Sequence, residues 1–208
     1  MSLSSILRIT SDDAPLIAPG LHPAWVFIVA LLGRQSTNFG EKLQVFLQWM
    51  LQGQMRTYTG RDGRRYTVPS TLGRVFTMSL HDSSALRPVL EAVLGRALTA
   101  AEKKTGFDVF TLGGLGCGVN VVHRQSNGRL FANVDSVVPA SSPLGPMPGS
   151  PIYYNPDQHN AEAFARLPQW VQDAISRRIR KEPVRVEPAA EGDAAEGDAA
   201  EFDDSIPF

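Results

Sequence analysis

The segment RTYTGRDGRRYTV, residues 56–68, interleaves arginines with tyrosines around an Asp62-Gly63 pair. Guanidinium groups neutralise backbone phosphates and phenol rings stack on unpaired bases, so this combination favours contact with a nucleic-acid strand. A solvated turn is the alternative interpretation. The residues assigned to DNA binding on this basis are Arg56, Tyr58, Arg61, Arg64, Arg65 and Tyr66.

Two phenylalanines are candidate stacking platforms because their strands place them among polar side chains. Phe46 falls between two glutamines, and Phe131 shares a face with Arg129 and Asn133. If exposed, each ring would contribute about 1–3 kcal/mol to binding unpaired bases without selecting sequence. The alternative is a second apolar layer of the sheet, under a C-terminal helix. The further basic candidates for this surface are Lys42, Arg74, Arg124 and Arg129, with Lys103 and Lys104 weaker.

Nothing in the sequence indicates catalysis. The four histidines are far apart and lack the spacing to Cys, Asp or Glu that is typical of a metal site. The stretch GGLGCG, residues 113–118, has the glycines of a phosphate loop, but it precedes a strand rather than a helix. We therefore predict a protein that is not an enzyme and has no catalytic residues, no metal and no cofactor.

Hydrophobic periodicity predicts the strands that carry the candidate residues. Ala24–Leu32 is a short continuous apolar run, typical of a buried strand, and residues 42–52 alternate as in a half-buried strand. Residues 74–80 alternate again. Asp62-Gly63 and Asn127-Gly128 each predict a hairpin, because these residue types tolerate the backbone angles of a tight turn.

Helical signals lie between the third and fourth predicted strands. Leucine and valine recur at helical spacing after Asp82 or Ser83, either of which is a candidate N-cap, and Gly95 follows as a stop. Thr99 and Glu102 form a capping-box pattern that indicates a second short helix.

This order of elements predicts a mainly β fold: an OB-fold-like five-stranded antiparallel barrel with an inserted helix, a C-terminal helix and a disordered acidic tail. A ferredoxin-like or SH3-like arrangement is the competing interpretation. The predicted segments are an N-terminal lead-in at 1–20, the OB-fold single-stranded DNA-binding domain at 21–139, a linker with a C-terminal helix at 140–181, and the tail at 182–208. Pro168 should divide the C-terminal helix into two pieces that pack on the barrel.

The charge is divided unevenly along the chain. Residues 1–181 contain 19 Lys and Arg against 12 Asp and Glu, a charge of +7, whereas residues 182–208 contain one Arg against nine acids, a charge of −8. A basic body suits nucleic acid and an acidic tail suits protein interactions, although a solvated surface with a solubility tail has the same composition.

Cys117 is the only cysteine, which fits a reducing compartment. With no apolar run long enough for a signal peptide or a membrane span, we expect a soluble, cytoplasmic protein.

The chain ends in FDDSIPF, which closely resembles the acidic tip of bacterial single-stranded DNA-binding proteins. That resemblance implies that the tip docks on replication, recombination or repair enzymes. Ser205 stands where those tips frequently carry an Asp. The matching residues, and hence the candidate partner-binding residues, are Asp203, Asp204, Ile206, Pro207 and Phe208.

The body also resembles a known family. FTMSLHDSSALRPVLEAVLGRALTAAE followed by GVNVVHRQSNGRLFANVDSVVP is similar to phage-type OB-fold single-stranded DNA-binding proteins, over roughly residues 25–139. The resemblance implies a protein that coats single strands in the cytoplasm of a bacterial host. It does not extend to the DNA-binding domain of the bacterial proteins, so their tetramer and binding residues are not carried over.

We expect a sequence-independent single-stranded DNA-binding protein that protects single strands and recruits enzymes through its tip. An OB-fold protein-interaction module and a recombination accessory protein without strong DNA binding remain open. The oligomeric state also remains open, and a homo-oligomer is one of the alternatives.

Overall fold

The computed structural model describes residues 16–60, 62–126 and 128–179. Predictions that concern residues 1–15, Arg61, Asn127 or residues 180–208, including the acidic tip, lie outside the described residues. The strands are β1 Gly20–Thr37, β2 Gly40–Thr59, β3 Arg65–Thr77, β4 Gly116–Ser126, β5 Arg129–Pro139 and β6 Ile152–Tyr154. The helices are α1 Leu86–Leu94, α2 Ala100–Thr105, a short 3₁₀ helix Val109–Leu112, α3 Ala161–Ala165 and α4 Gln169–Ser176. None of the described helices is long and apolar enough to cross a membrane.

Five strands form one curled antiparallel sheet in the order β3-β2-β1-β4-β5. The sheet is a half-barrel, and α1 and α2 are inserted between β3 and β4. This confirms the predicted mainly β, OB-fold-like architecture. The predicted strand at residues 74–80 is the second half of a single long β3, which ends at Thr77.

Strand β1 is buried on both faces because a core lies on each side of it. Val26 and Val29 belong to an inner core that also includes α1, whereas Ile28 and Ala30 belong to an outer core under α3 and α4. The pairing with β2 shifts register between Val26 and Ile28. At this bulge the alternation of inward-facing and outward-facing residues shifts by one position. Because both faces of β1 are covered, the strand carries a continuous apolar run instead of alternating apolar and polar residues.

The three-residue strand β6 escaped prediction because it is too short to show a period. It runs parallel to β1 and pairs with residues 28–30. Strand β4 pairs with β1 only from Gly20 to Trp25. Strand β6 therefore occupies the edge of β1 that β4 leaves free, and it leads into α3 and α4.

The helix ends confirm most of the capping predictions. Thr99 and Glu102 form the predicted capping box of α2, and Gly95 ends α1 in the left-handed conformation with φ of 65°. The N-cap prediction for α1 was wrong: the cap is Ala85, whose methyl side chain cannot accept a hydrogen bond from the free N–H groups. The Ser84 hydroxyl instead accepts the N–H of Leu86, because the chain turns once more before the helix begins.

The C-terminal segment forms two short helices, as Pro168 predicted. Pro168 is the N-cap of α4, and Leu167, Val171 and Ile175 are buried in the outer core. These helices therefore cover the outer face of the sheet, a packing role that the sequence predicted.

Candidate nucleic-acid interface

The β2–β3 hairpin extends beyond the barrel as an exposed arm, residues 55–69. Apart from Gly60, every described residue from Met55 to Thr67 is exposed to solvent. The turn is closed by hydrogen bonds from the Gly63 N–H to the Gly60 carbonyl and from the Gly60 N–H to the Arg64 carbonyl. Gly63 has a φ of 75°, which explains why glycine is needed there. The predicted hairpin at Asp62-Gly63 is confirmed.

Tyr58 and Tyr66 lie directly opposite each other in the β2–β3 ladder. Their ring centroids are 5.6 Å apart and the ring planes differ by 25°, so the two rings stack. Each residue remains substantially exposed, at 41% for Tyr58 and 40% for Tyr66. The arm thus presents a preformed aromatic surface to solvent.

Asp62 at the turn holds one ring of this pair. The Tyr66 hydroxyl donates to the Asp62 Oδ2 at 2.6 Å, and the Arg64 N–H donates to Oδ1 at 3.1 Å. These two hydrogen bonds, that from Tyr66 first, lower the pKa of the Asp62 carboxyl, and the same bond to Asp62 raises the pKa of the Tyr66 phenol. Asp62 is therefore a carboxylate at neutral pH.

The described cations of the arm lie on both of its faces. Arg56 pairs with Val68 and shares a face with the tyrosine pair, since directly paired residues and those two positions away lie on one side of a strand. Arg65 pairs with Thr59 on the opposite face. Arg64 is in the turn, with its Nε 4.0 Å from the Asp62 Oδ2. The stacked pair is therefore flanked by exposed guanidinium groups.

The ladder that joins the arm to the barrel is interrupted. Met50 pairs with Thr71 and Met55 pairs with Pro69, so four residues of β2 stand opposite one residue of β3. Gly53 in the looped-out stretch has a φ of 70°, and Pro69 has no N–H to donate. The interruption separates the exposed arm from the buried part of the sheet.

The β4–β5 hairpin forms a second arm, residues 122–133, in which the described residues from Arg124 to Phe131 are exposed. Phe131 pairs with Arg124, and Arg129 pairs with Ser126, which puts all four on one face. The Phe131 side chain is 47% exposed. The predicted grouping of Phe131 with Arg129 is thus present, and Arg124 joins it. Arg124 also forms an ion pair with Asp135 at 3.5 Å, which neutralises part of the positive charge of this arm.

Both arms project from the same end of the sheet. Strand β4 continues past Val121, which pairs with Gly20 at the start of β1, and β2 continues past Leu51, which pairs with Ala24. Their aromatic groups nevertheless lie on different sides. Alternation places Tyr66 on the side of β3 that faces the inner core, whereas Phe131 lies on the outer side of β5, because Val134 faces inward.

Phe46 is buried, so its predicted role as an exposed stacking platform is wrong. Its exposure is 1%, and the Trp170 ring of α4 packs edge-on against it with centroids 4.9 Å apart. Its ring also lies over Gly73, where a Cβ would overlap it. The alternative interpretation, a second apolar layer under the C-terminal helix, is the arrangement that the structure shows.

Arg74 closes the gap between the two edge strands of the half-barrel. Its guanidinium donates to the backbone carbonyls of Val134 at 3.4 Å and Asp135 at 3.1 Å, and lies 5.2 Å from the Phe76 ring centroid. These contacts connect β3 to β5 across the seam. Arg74 thus has a structural role that its position in the sequence did not indicate.

The hairpin joining β1 to β2 presents an aromatic residue that sequence reasoning missed. Phe39 is 87% exposed at the tip of this hairpin, at the opposite end of β1 from the two arms. Lys42, a predicted DNA contact, is exposed in the same hairpin, where it pairs with Gln35. An aromatic residue in a turn was the available signal, but a turn gives no period from which exposure can be read.

Within residues 16–60, 62–126 and 128–179, no group of three or more His, Cys, Asp or Glu side chains could hold a metal ion. Burial raises the pKa of the Cys117 thiol to about 12, so this cysteine stays protonated at neutral pH. The side-chain arrangement with the most evident binding chemistry is therefore the pair of arms.

Comparison with models of known families and with curated proteins gave no match for this chain.

Proposed function

We propose that this protein binds single-stranded DNA without sequence selection, chiefly through the β2–β3 arm. The observation that carries the proposal is the exposed, mutually stacked Tyr58–Tyr66 pair flanked by Arg56, Arg64 and Arg65. Every base has a π-face, so stacking tolerates any sequence, and guanidinium groups beside the rings attract the phosphates. Paired bases in a duplex do not offer their faces to such a surface.

The β4–β5 arm supplies a second contact in this proposal. Phe131 with Arg124 and Arg129 repeats the combination of ring and cation, but on the outer side of the sheet. A strand bound by both arms must therefore pass around the end of the half-barrel. Such a path leaves the buried Phe46 without a role in binding.

Coating of single strands in the cytoplasm during replication or recombination is the biological role that we propose, without catalysis by the chain itself. Recruitment of repair, replication or recombination enzymes by Asp203, Asp204, Ile206, Pro207 and Phe208 belongs to the same proposal. Its support is the resemblance of FDDSIPF to the tip of bacterial single-stranded DNA-binding proteins.

The proposal is tested by titrating the full chain against fluorescently labelled oligo-dT and a duplex of equal length, over a series of salt concentrations. We expect tighter binding to the single strand, and a log–log salt slope of about −0.7 for each phosphate that the protein neutralises. Arg56→Ala should make that slope shallower, whereas Arg177→Ala, which removes an exposed cation from the end of α4, should not. Absence of binding to either DNA would favour the protein-interaction module instead.

A further inference from the structure

Asp62 is an acidic residue at the centre of an otherwise basic arm tip. On charge alone it should oppose binding of any phosphate backbone. Yet its two carboxylate oxygens are both engaged within the turn, Oδ2 by the Tyr66 hydroxyl and Oδ1 by the Arg64 N–H. The carboxylate therefore does more than balance nearby charge, because it connects the turn to one ring of the stacked pair.

We propose that Asp62 determines the selectivity of the arm for single strands over duplex DNA. This inference rests on the proposed DNA-binding function. It assigns Asp62 two effects of opposite sign: positioning the Tyr66 ring for unpaired bases, and repelling phosphate backbones from the tip.

The positioning effect follows from the geometry of the arm. The described neighbours of the Tyr66 ring in the ladder are exposed, so no packed core fixes its orientation. The stacked partner Tyr58, the 2.6 Å bond to Asp62 and the backbone of Gly60, against which the ring lies, are the contacts that hold it. A ring held in place before binding loses less conformational entropy when a base stacks on it.

The repulsive effect follows from the exposure of the tip. Asp62 lies in the turn beyond the last ladder pair, Thr59 with Arg65, and is exposed to solvent. A duplex presents two phosphate backbones and no open base face, so it meets the charge of Asp62 without gaining from the ring. A single strand gains the stacking contact, which exceeds one screened repulsion between exposed charges.

Three variants separate the two effects. Asp62→Ala removes both the ring contact and the charge. Asp62→Asn removes the charge but keeps an amide that can accept the Arg64 N–H and donate to the Tyr66 oxygen. Tyr66→Phe keeps the charge and the ring but removes the hydrogen bond.

The affinities of these variants for oligo-dT and for duplex DNA form the test. We expect Asp62→Ala to bind oligo-dT at least about threefold more weakly, a loss that weaker base stacking can account for. The same variant should bind duplex DNA about two- to fivefold more tightly, because one repulsive charge is removed. Asp62→Asn should gain duplex affinity while keeping its affinity for oligo-dT. Tyr66→Phe should weaken only oligo-dT binding, and combining it with Asp62→Ala should weaken oligo-dT binding little further.

A titration of phenol absorbance without DNA checks the positioning effect separately. In the wild type two tyrosines should ionise at a raised pH: Tyr66, because the bond to Asp62 raises its pKa, and Tyr154, because burial raises its pKa. Only the rise at Tyr66 should disappear in Asp62→Ala. Tighter binding of Asp62→Ala to both DNAs would show that Asp62 acts only as a charge, and would overturn the inference. Equal weakening on both DNAs would show that it only maintains the turn, and would overturn it as well. Wild-type protein that binds neither DNA would instead refute the proposed function.

Discussion

The two halves of strand β2 have similar aromatic and polar patterns but opposite surroundings. Phe46 in the first half is buried, while Tyr58 in the second half is exposed. Both residues lie on one strand and pair with the same neighbour, β3. The difference comes from outside the strand, because Trp170 of α4 covers Phe46, whereas no packed element covers the described part of the arm.

This contrast shows that an aromatic residue on the polar face of a strand is ambiguous until the rest of the chain is placed. The β2 interruption at Gly53 marks the point where the covered half becomes the exposed arm. Stability should therefore depend on residues before this point, and DNA binding on residues after it. Three substitutions test this division, and a fourth tests the β4–β5 arm.

The largest expected effect is on folding, at Phe46. Phe46→Ala should lower the free energy of unfolding by about 3–5 kcal/mol, because it leaves a cavity beneath Trp170. Phe39→Ala is the matched control: it removes the same side chain from an exposed turn and should change stability by no more than about 0.5 kcal/mol. Urea denaturation measures both. Equal effects of the two substitutions would contradict the buried position of Phe46.

The second expected effect is also on folding, at the glycine beneath the Phe46 ring. Gly73→Ala should destabilise the protein by about 1–3 kcal/mol, because the new Cβ overlaps the ring. Gly145→Ala, where a Cβ meets no atom within 4 Å, should be nearly neutral in thermal unfolding. An equally neutral Gly73→Ala would show that the ring does not lie against Gly73.

The third expected effect is on binding, in the exposed half of the strand. Tyr58→Ala should weaken binding to oligo-dT by about 1–3 kcal/mol, because it removes a stacking surface. Its stability should change little, since the side chain packs mainly on Tyr66. Fluorescence anisotropy and urea denaturation on the same sample measure both quantities. Lower stability together with unchanged affinity would reverse the assignment of the two halves.

The smallest expected effect is on the second arm. Arg124→Ala should make the log–log salt slope of oligo-dT binding shallower by about 0.7 or less. The change is small because the Asp135 carboxylate already neutralises part of the charge of Arg124. Arg177→Ala is again the control with an exposed cation elsewhere. An unchanged salt dependence in Arg124→Ala would show that Arg124 does not contact the phosphates of the bound strand.

The sequence predicted the strands and hairpins of this fold because their signals are local. The alternation of residues 42–52, the glycines at 63 and 128, and the Thr99–Glu102 capping box each depend on a few neighbouring residues. The insertion of α1 and α2 between β3 and β4 followed from the order of these elements.

What the sequence did not show depends on contacts between distant segments or on where a loop ends. The cover over Phe46 comes from Trp170, more than a hundred residues later in the chain. The role of Arg74 depends on carbonyls of β5 that only the curled sheet brings near. The N-cap of α1 was misplaced because several polar residues precede the helix, and the sequence does not show where the last turn of the loop ends.

The central claim is that the β2–β3 arm contacts single-stranded DNA, and photochemical cross-linking tests it most directly. Oligo-dT carrying 5-iodouracil would be irradiated with the full-length wild-type protein, and the linked peptides identified by mass spectrometry. The account predicts links to Tyr58 or Tyr66, with weaker links to Phe131 on the second arm. Links confined to residues outside both arms, or no links at concentrations where binding is observed, would contradict it.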